Sequence, residues 1–126
     1  MFPLRDVIPS RTFPAVTIAL IVANAAVWLY ELTLPAEAVS DLLAAYGVVP
    51  ARFDPTAVLT SMFLHGGWFH VIGNMWFLWI FGDNVEDRMG HQRFFVFYLL
   101  CGTGAAIGHV VMDPASVVPT IGASGA

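Results

Sequence analysis

The sequence predicts an all-α fold, a polytopic bundle of membrane helices, from two observations. Of 126 residues, 58% are hydrophobic and only 11% charged, whereas soluble globular chains carry about 25% charged residues. Cutting at every charge leaves uninterrupted runs at 12–30, 55–82, 94–112 and 114–126, and an apolar run of about 18 residues or more can cross a bilayer as a helix. The same composition excludes other classes. Cys101 has no cysteine partner in the chain, so there is no disulfide scaffold, and it reads as a small buried hydrophobe. A net charge of −4 and the absence of lysine leave no basic patch for a nucleic acid.

The first span is placed at about 12–30. Its basic start and the Ala23-Asn24-Ala25 triplet resemble a cleaved signal sequence, but the apolar run continues past that site and two further spans follow. Trp28 and Tyr30 are expected at the headgroup level, where amphipathic rings settle. In the polar segment 31–54, Val39, Leu42, Leu43 and Tyr46 recur at i, i+3, i+4 and i+7, the mark of a short amphipathic helix ended by Gly47 and Pro50. Such a helix lies in the interface. The pair Gly66-Gly67 divides the next run into an interfacial lead-in at 55–64 and a second span at about 68–84. A third span follows at 94–112.

The last run, 114–126, is 13 residues long, too short to span. The chain is therefore read as a single membrane domain over 1–126, incomplete at its C-terminus, with three full transmembrane helices and the start of a fourth near 122. Arginines set its direction. Arg5 and Arg11 precede the first span and Arg88 and Arg93 separate the second from the third, against Arg52 alone in the first loop. Positive residues stay on the cytoplasmic side, so the N-terminus is expected there, in a cell (inner) membrane. His70 and the segment after Asp113 then lie near the outer face.

Polar groups in hydrocarbon are costly unless paired, which makes each one a candidate functional residue. His70 and Asn74, at i and i+4, share one face of the second span. His65 falls off that face and is read as a hydrogen-bonding loop residue. His91 and His109 complete the four histidines, whose spacing matches no metal-binding pattern; no metal is expected. Gly104 and Gly108 form a small-x-x-x-small pair that would admit a neighbouring helix. Gly122-Ala123-Ser124-Gly125 sets a hydroxyl among residues with little side chain, where a substrate backbone can approach and an amide can face a developing oxyanion.

Taken in order, His65-Gly66-Gly67-Trp68-Phe69-His70-Val71-Ile72-Gly73-Asn74-Met75, Phe81-Gly82-Asp83-Asn84-Val85-Glu86-Asp87-Arg88-Met89-Gly90 and the closing Gly-x-Ser-Gly resemble the rhomboid family of intramembrane serine proteases. The likeness covers about residues 13–126. It implies a six-helix core in which Ser124 is the nucleophile, and His70 and Asn74 donate hydrogen bonds to the oxyanion. Gly122 belongs to the nucleophile motif, Gly125 resembles the small residue that admits the base-bearing helix, and Glu86 and Gly90 match a structural signature expected to pack and anchor. The implied activity is endoproteolysis of transmembrane segments, with membrane-protein substrates and the bilayer as partners and no cofactor, nucleotide or nucleic acid. The alternative is a rhomboid-like pseudoprotease that binds membrane clients without cutting them. The family's base histidine is expected beyond residue 126, so residues 1–126 alone are expected to be inactive. The first loop also lacks the family's frequent Trp-Arg pair, offering only Arg52-Phe53.

Overall fold

The computed structural model describes residues 11–122. Five α-helices follow in order: α1 (Ala15–Leu32), α2 (Ala36–Tyr46), α3 (Pro55–Thr60), α4 (Trp68–Met89) and α5 (His91–Met112). Single 3₁₀ turns at Pro50–Arg52 and Ser61–Phe63 flank α3. Among the described residues there is no strand, only an isolated antiparallel bridge between Val48 and Thr120.

The helices α1 and α5 are long and apolar enough to cross a membrane, each with a mean hydropathy of 1.8 over its most apolar window. The last turns of α4 carry Asp83, Glu86, Asp87 and Arg88, leaving Trp68–Gly82 as its charge-free part. Each long helix buries only one narrow stripe. In α1 it is Thr17, Leu20, Asn24, Trp28 and Glu31, and in α5 it is Phe94, Tyr98, Gly102 and Ala106, both at helical spacing. Elsewhere large apolar side chains point outward, among them Val22, Leu29, Phe69, Leu100 and Val111. Apolar surface on this scale is tolerated where lipid replaces water.

Boundaries follow from local chemistry. Asp54 caps α3 by accepting from the Thr56 amide at 2.9 Å, and Pro55 fills the first helical position, where no amide partner is needed. Between α4 and α5 the chain turns at Gly90, whose φ of 87° lies in the left-handed region that glycine adopts without a side-chain clash. The expected amphipathic helix in the first loop is α2, with Gly47 as its C-cap. It buries no residue fully.

The helices α1 and α4 form the main packing pair, and a buried carboxylate joins them. Glu86 is fully buried and accepts from the amides of Val16 and Thr17 and from the Thr17 hydroxyl, each at 2.8 Å. These amides belong to the first turn of α1, which has no intrahelical acceptor for them. The N-cap, Pro14, makes no side-chain cap bond of its own. An anion on the axis at the N-terminus also meets the positive end of the helix dipole. His91, the first residue of α5, completes the cluster through Nδ1 against Glu86 Oε2. Next to it, Asp87 accepts from the Arg11 and Thr12 amides and the Thr12 hydroxyl.

Two neighbourhoods differ from what spacing alone suggests. Gly104 and Gly108 meet no neighbouring atom among the described residues. Close approach occurs at Gly102, where a β-carbon would sit 2.3 Å from Met62 Cε, because the 3₁₀ turn carrying Met62 packs on the face of α5 about half a turn away from Gly104. Trp28 turns toward the bundle rather than outward. It is 9% exposed, with its ring edge-on to Trp68 at 5.4 Å between centroids, because position 28 falls on the buried stripe of α1. Tyr30 is exposed.

Two measurements test this account. Glu86→Ala strands two helix-start amides and should cost on the order of 3 kcal/mol of folding stability, whereas His91→Ala, at a half-exposed side chain, should cost less than about 1 kcal/mol; denaturation in detergent micelles measures both. Burial favours protonation of Glu86, but the bonds from Thr17, Val16 and His91 outweigh it and hold the carboxyl below its ordinary pKa. Asp87 is also lowered, chiefly by the Arg11 amide and the Thr12 hydroxyl. Their stabilisation should therefore be complete above the ordinary carboxylate pKa of about 4 and disappear as pH falls below it. Separately, Gly102→Ala should cost about 1–2 kcal/mol by forcing Met62 aside, while Gly108→Ala should stay within about 0.5 kcal/mol.

Candidate active site

The site is built at the end of the bundle away from Glu86, where α4 begins. His70 and Asn74 stand one turn apart on α4, both partly buried. After α5 the chain returns across this end. The Ala51 amide donates to the Ser116 carbonyl at 3.0 Å, and Val48 and Thr120 exchange amide bonds at 3.0 and 2.8 Å. The Gly122 amide then donates to the Ser61 carbonyl at 2.8 Å. Gly47 leaves the room this crossing needs, since a β-carbon there would lie 3.0 Å from Pro119 and 3.1 Å from Ile121.

These bonds deliver Gly122 to the face of His70 and Asn74. A β-carbon on Gly122 would lie 2.4 Å from His70 Nε2 and 3.4 Å from Asn74 Nδ2, so both nitrogens converge on one point beside its α-carbon. Gly122 also has a φ of 105°, a conformation L side chains rarely adopt. Ser124 and Gly125, the proposed nucleophile and its neighbour, lie outside the described residues, as does Ala123.

The protonation of His70 follows from its partner. The Gly66 amide donates to His70 Nδ1 at 3.2 Å, so Nδ1 holds the lone pair and the proton of the neutral ring sits on Nε2. The nitrogen facing Gly122 is therefore a donor. Asn74 Nδ2 is a second donor; it is buried and has no hydrogen-bond partner among the described residues. Two donors aimed at one position are an arrangement suited to an oxyanion.

His65 departs from expectation. Its ring nitrogens are buried without a partner among the described residues, and its backbone amide bonds instead, to Glu31 Oε1 at 3.2 Å. Although offset in sequence from the His70 face, its ring meets His70 edge-on at 4.9 Å between centroids, because the chain bends at 64–67 before α4 starts. Burial first, then the adjacent His70, lowers its pKa to about 4 against a small opposing effect of the Phe63 carbonyl; the ring is neutral at physiological pH. His91 belongs to the Glu86 cluster at the opposite end. Among the described residues no three His, Cys, Asp or Glu side chains gather as ligands for a metal.

Two participants escape the motif reading, the Ser61 carbonyl and Glu31. A backbone acceptor leaves no signal in the sequence. Glu31 does: it falls on the same helical face as Asn24 and Trp28, at i+7 and i+3, and so points inward.

The Rhomboid domain family profile matches residues 52–126, which take in His70, Asn74 and the whole Gly-x-Ser-Gly segment. The chain belongs to the rhomboid family. It is 32% identical over 119 residues to the Bacillus subtilis protein named "Putative rhomboid protease YdcA", covering 92% of this chain and 58% of the relative. Identity to Rhomboid protease GluP of the same organism is 39% over 91 residues, 69% of this chain and 17% of the relative. Rhomboid-like protein 11, chloroplastic, of Arabidopsis thaliana is 38% identical over 68 residues, 54% and 24% of the two chains. The chain thus spans less than two thirds of the length of each. No solved structure gives a significant match. Rhomboid proteins are integral membrane proteins, and α1 and α5 fit that setting.

Gly122→Ala tests the geometry without reference to activity. Positive φ alone should cost about 1–2 kcal/mol, and the added methyl should displace the His70 ring. A shift of the His70 imidazole resonances in NMR spectra of the micelle-bound protein is expected; unchanged resonances would contradict the close approach.

Proposed function

We propose that this chain is the N-terminal part of an intramembrane serine endopeptidase that cleaves transmembrane segments of other proteins. The observation that carries the reading is the convergence of His70 Nε2 and Asn74 Nδ2 beside Gly122, the residue two positions before Ser124. Support also comes from the relatives named as rhomboid proteases. In this reading Ser124 Oγ attacks the scissile carbonyl carbon and the carbonyl π pair moves to oxygen. The resulting oxyanion accepts from His70 Nε2–H, Asn74 Nδ2–H and the Ser124 amide. The serine proton passes to a base histidine outside this sequence, which returns it to the leaving amine. Without that base serine is a poor nucleophile at neutral pH, so residues 1–126 alone are inactive in this reading.

The proposed membrane placement has α1, the Trp68–Asn84 part of α4 and α5 as three spans, with a fourth starting near 122 and the N-terminus cytoplasmic. The site then opens toward the outer leaflet. A substrate there would be a membrane helix locally unwound by small or helix-breaking residues, so that its backbone reaches Ser124. Gly125 is the small residue that would admit the base-bearing helix.

The test uses the protein as its gene encodes it, reconstituted with a model transmembrane substrate. Ser124→Ala should abolish both cleavage and labelling by a serine-reactive phosphonate. His70→Ala and Asn74→Ala should each lower kcat by a factor of roughly 100 or more with labelling weakened. Cleavage that persists in Ser124→Ala would refute the nucleophile, and client binding without any cleavage by the wild type would favour the pseudoprotease.

A further inference from the structure

Consecutive backbone amides at the approach to α4 point to opposite partners. The His65 amide donates to Glu31 Oε1 on α1, and the next amide, that of Gly66, donates to His70 Nδ1, both at 3.2 Å. Two successive peptide units, joined at the His65 α-carbon, therefore link the end of α1 to the imidazole that faces Gly122. Glu31 itself is 3% exposed, in a part of the fold where an uncommitted acidic group would be costly. It sits fourteen residues beyond Thr17, which the Glu86 lock fixes at the other end of α1, so its height is set by a helix anchored at both ends. The His65 ring, 1% exposed, meets His70 edge-on and leaves it little freedom to rotate.

We propose that Glu31 is a positioning residue for His70: by holding the His65 amide it fixes the chain immediately before Gly66, so that the Gly66 amide is presented to Nδ1 and the imidazole stays in the tautomer that donates from Nε2. The proposal rests on the functional reading above for its consequence, since a donor at Nε2 serves an oxyanion while an acceptor there would repel it. Without the Glu31 bond the loop at Gly66-Gly67 is free to turn its amide away. Both tautomers of His70 then become available, and only one is productive.

The experiment combines nitrogen NMR and kinetics on the full-length protein in micelles. With ¹⁵N-labelled histidine, and His70→Gln to assign the signal, the wild type should show Nδ1 unprotonated and Nε2 protonated. Glu31→Leu should give a mixture of tautomers and lower kcat by 10- to 100-fold with KM within twofold. Glu31→Gln keeps a carbonyl oxygen for the His65 amide and should recover the wild-type tautomer and most of kcat. Should Glu31→Leu fail to fold, the wild-type and Glu31→Gln spectra still decide. A wild-type His70 protonated on Nδ1, a Glu31→Gln spectrum with mixed tautomers, or a folded Glu31→Leu with unchanged tautomer and kcat would each overturn the proposal. A wild type lacking Ser124-dependent cleavage would defeat the functional reading alone, because the tautomer is read without turnover.

Discussion

A carboxylate inside an apolar bundle is costly unless its oxygens are hydrogen-bonded, and the way Glu86 meets that cost organises the molecule. Its oxygens take up the Val16 and Thr17 amides, the Thr17 hydroxyl and the His91 ring. One side chain on α4 thereby caps the start of α1 and holds the first residue of α5. Between helices that meet lipid over most of their surface, apolar packing alone provides little preference for one axial register over another. A polar lock at one depth supplies it. The register then propagates rigidly: with a rise of 1.5 Å per residue, Glu31 lies about 21 Å along α1 from Thr17, at the depth of the bend before α4.

At that opposite end the chain leaves α-helical geometry at 47–54, 61–67 and 113–122, and backbone groups there cannot rely on solvent if they lie within the bilayer. These irregular segments satisfy one another. Val48 pairs with Thr120, Ala51 with Ser116, and Gly122 with the Ser61 carbonyl. The same bonds that keep the backbone satisfied carry Gly122 to His70 and Asn74. Site geometry and loop stability thus share one set of interactions, and glycine is required at Gly47 and Gly122 because neighbouring chain comes too close for a side chain.

Much of this was legible in the residues. Charge-free runs located the long helices to within a few residues, α1 starting at Ala15 and ending at Leu32 and α5 beginning three residues ahead of the expected 94. Periodicity found α2, and i, i+4 spacing put His70 with Asn74. What escaped was the content of three-dimensional neighbourhoods. The Gly104–Gly108 pattern is a sound small-residue motif, but whether it packs depends on which loop lies opposite, and Met62 lies opposite Gly102. Trp28 looked like an interface anchor because its ring is amphipathic; its direction depends on the partner helix, which presents Trp68. His65 was off the His70 face by helical arithmetic, which fails once the chain bends at 64–67.

The sequence by itself determined that this is an all-helical membrane protein of the rhomboid family, because hydropathy and motif order are properties of the chain read in one dimension. It also singled out His70, Asn74 and Gly122 by type and spacing. The tertiary structure alone decided that Glu86 closes the N-terminus of α1, that the Gly66 amide meets His70 Nδ1, and that Glu31 takes the amide just before it. Each of these is a hydrogen bond from or to a backbone amide across elements. Every residue but proline carries the same amide, so no pattern of side chains announces which one a buried acceptor will find.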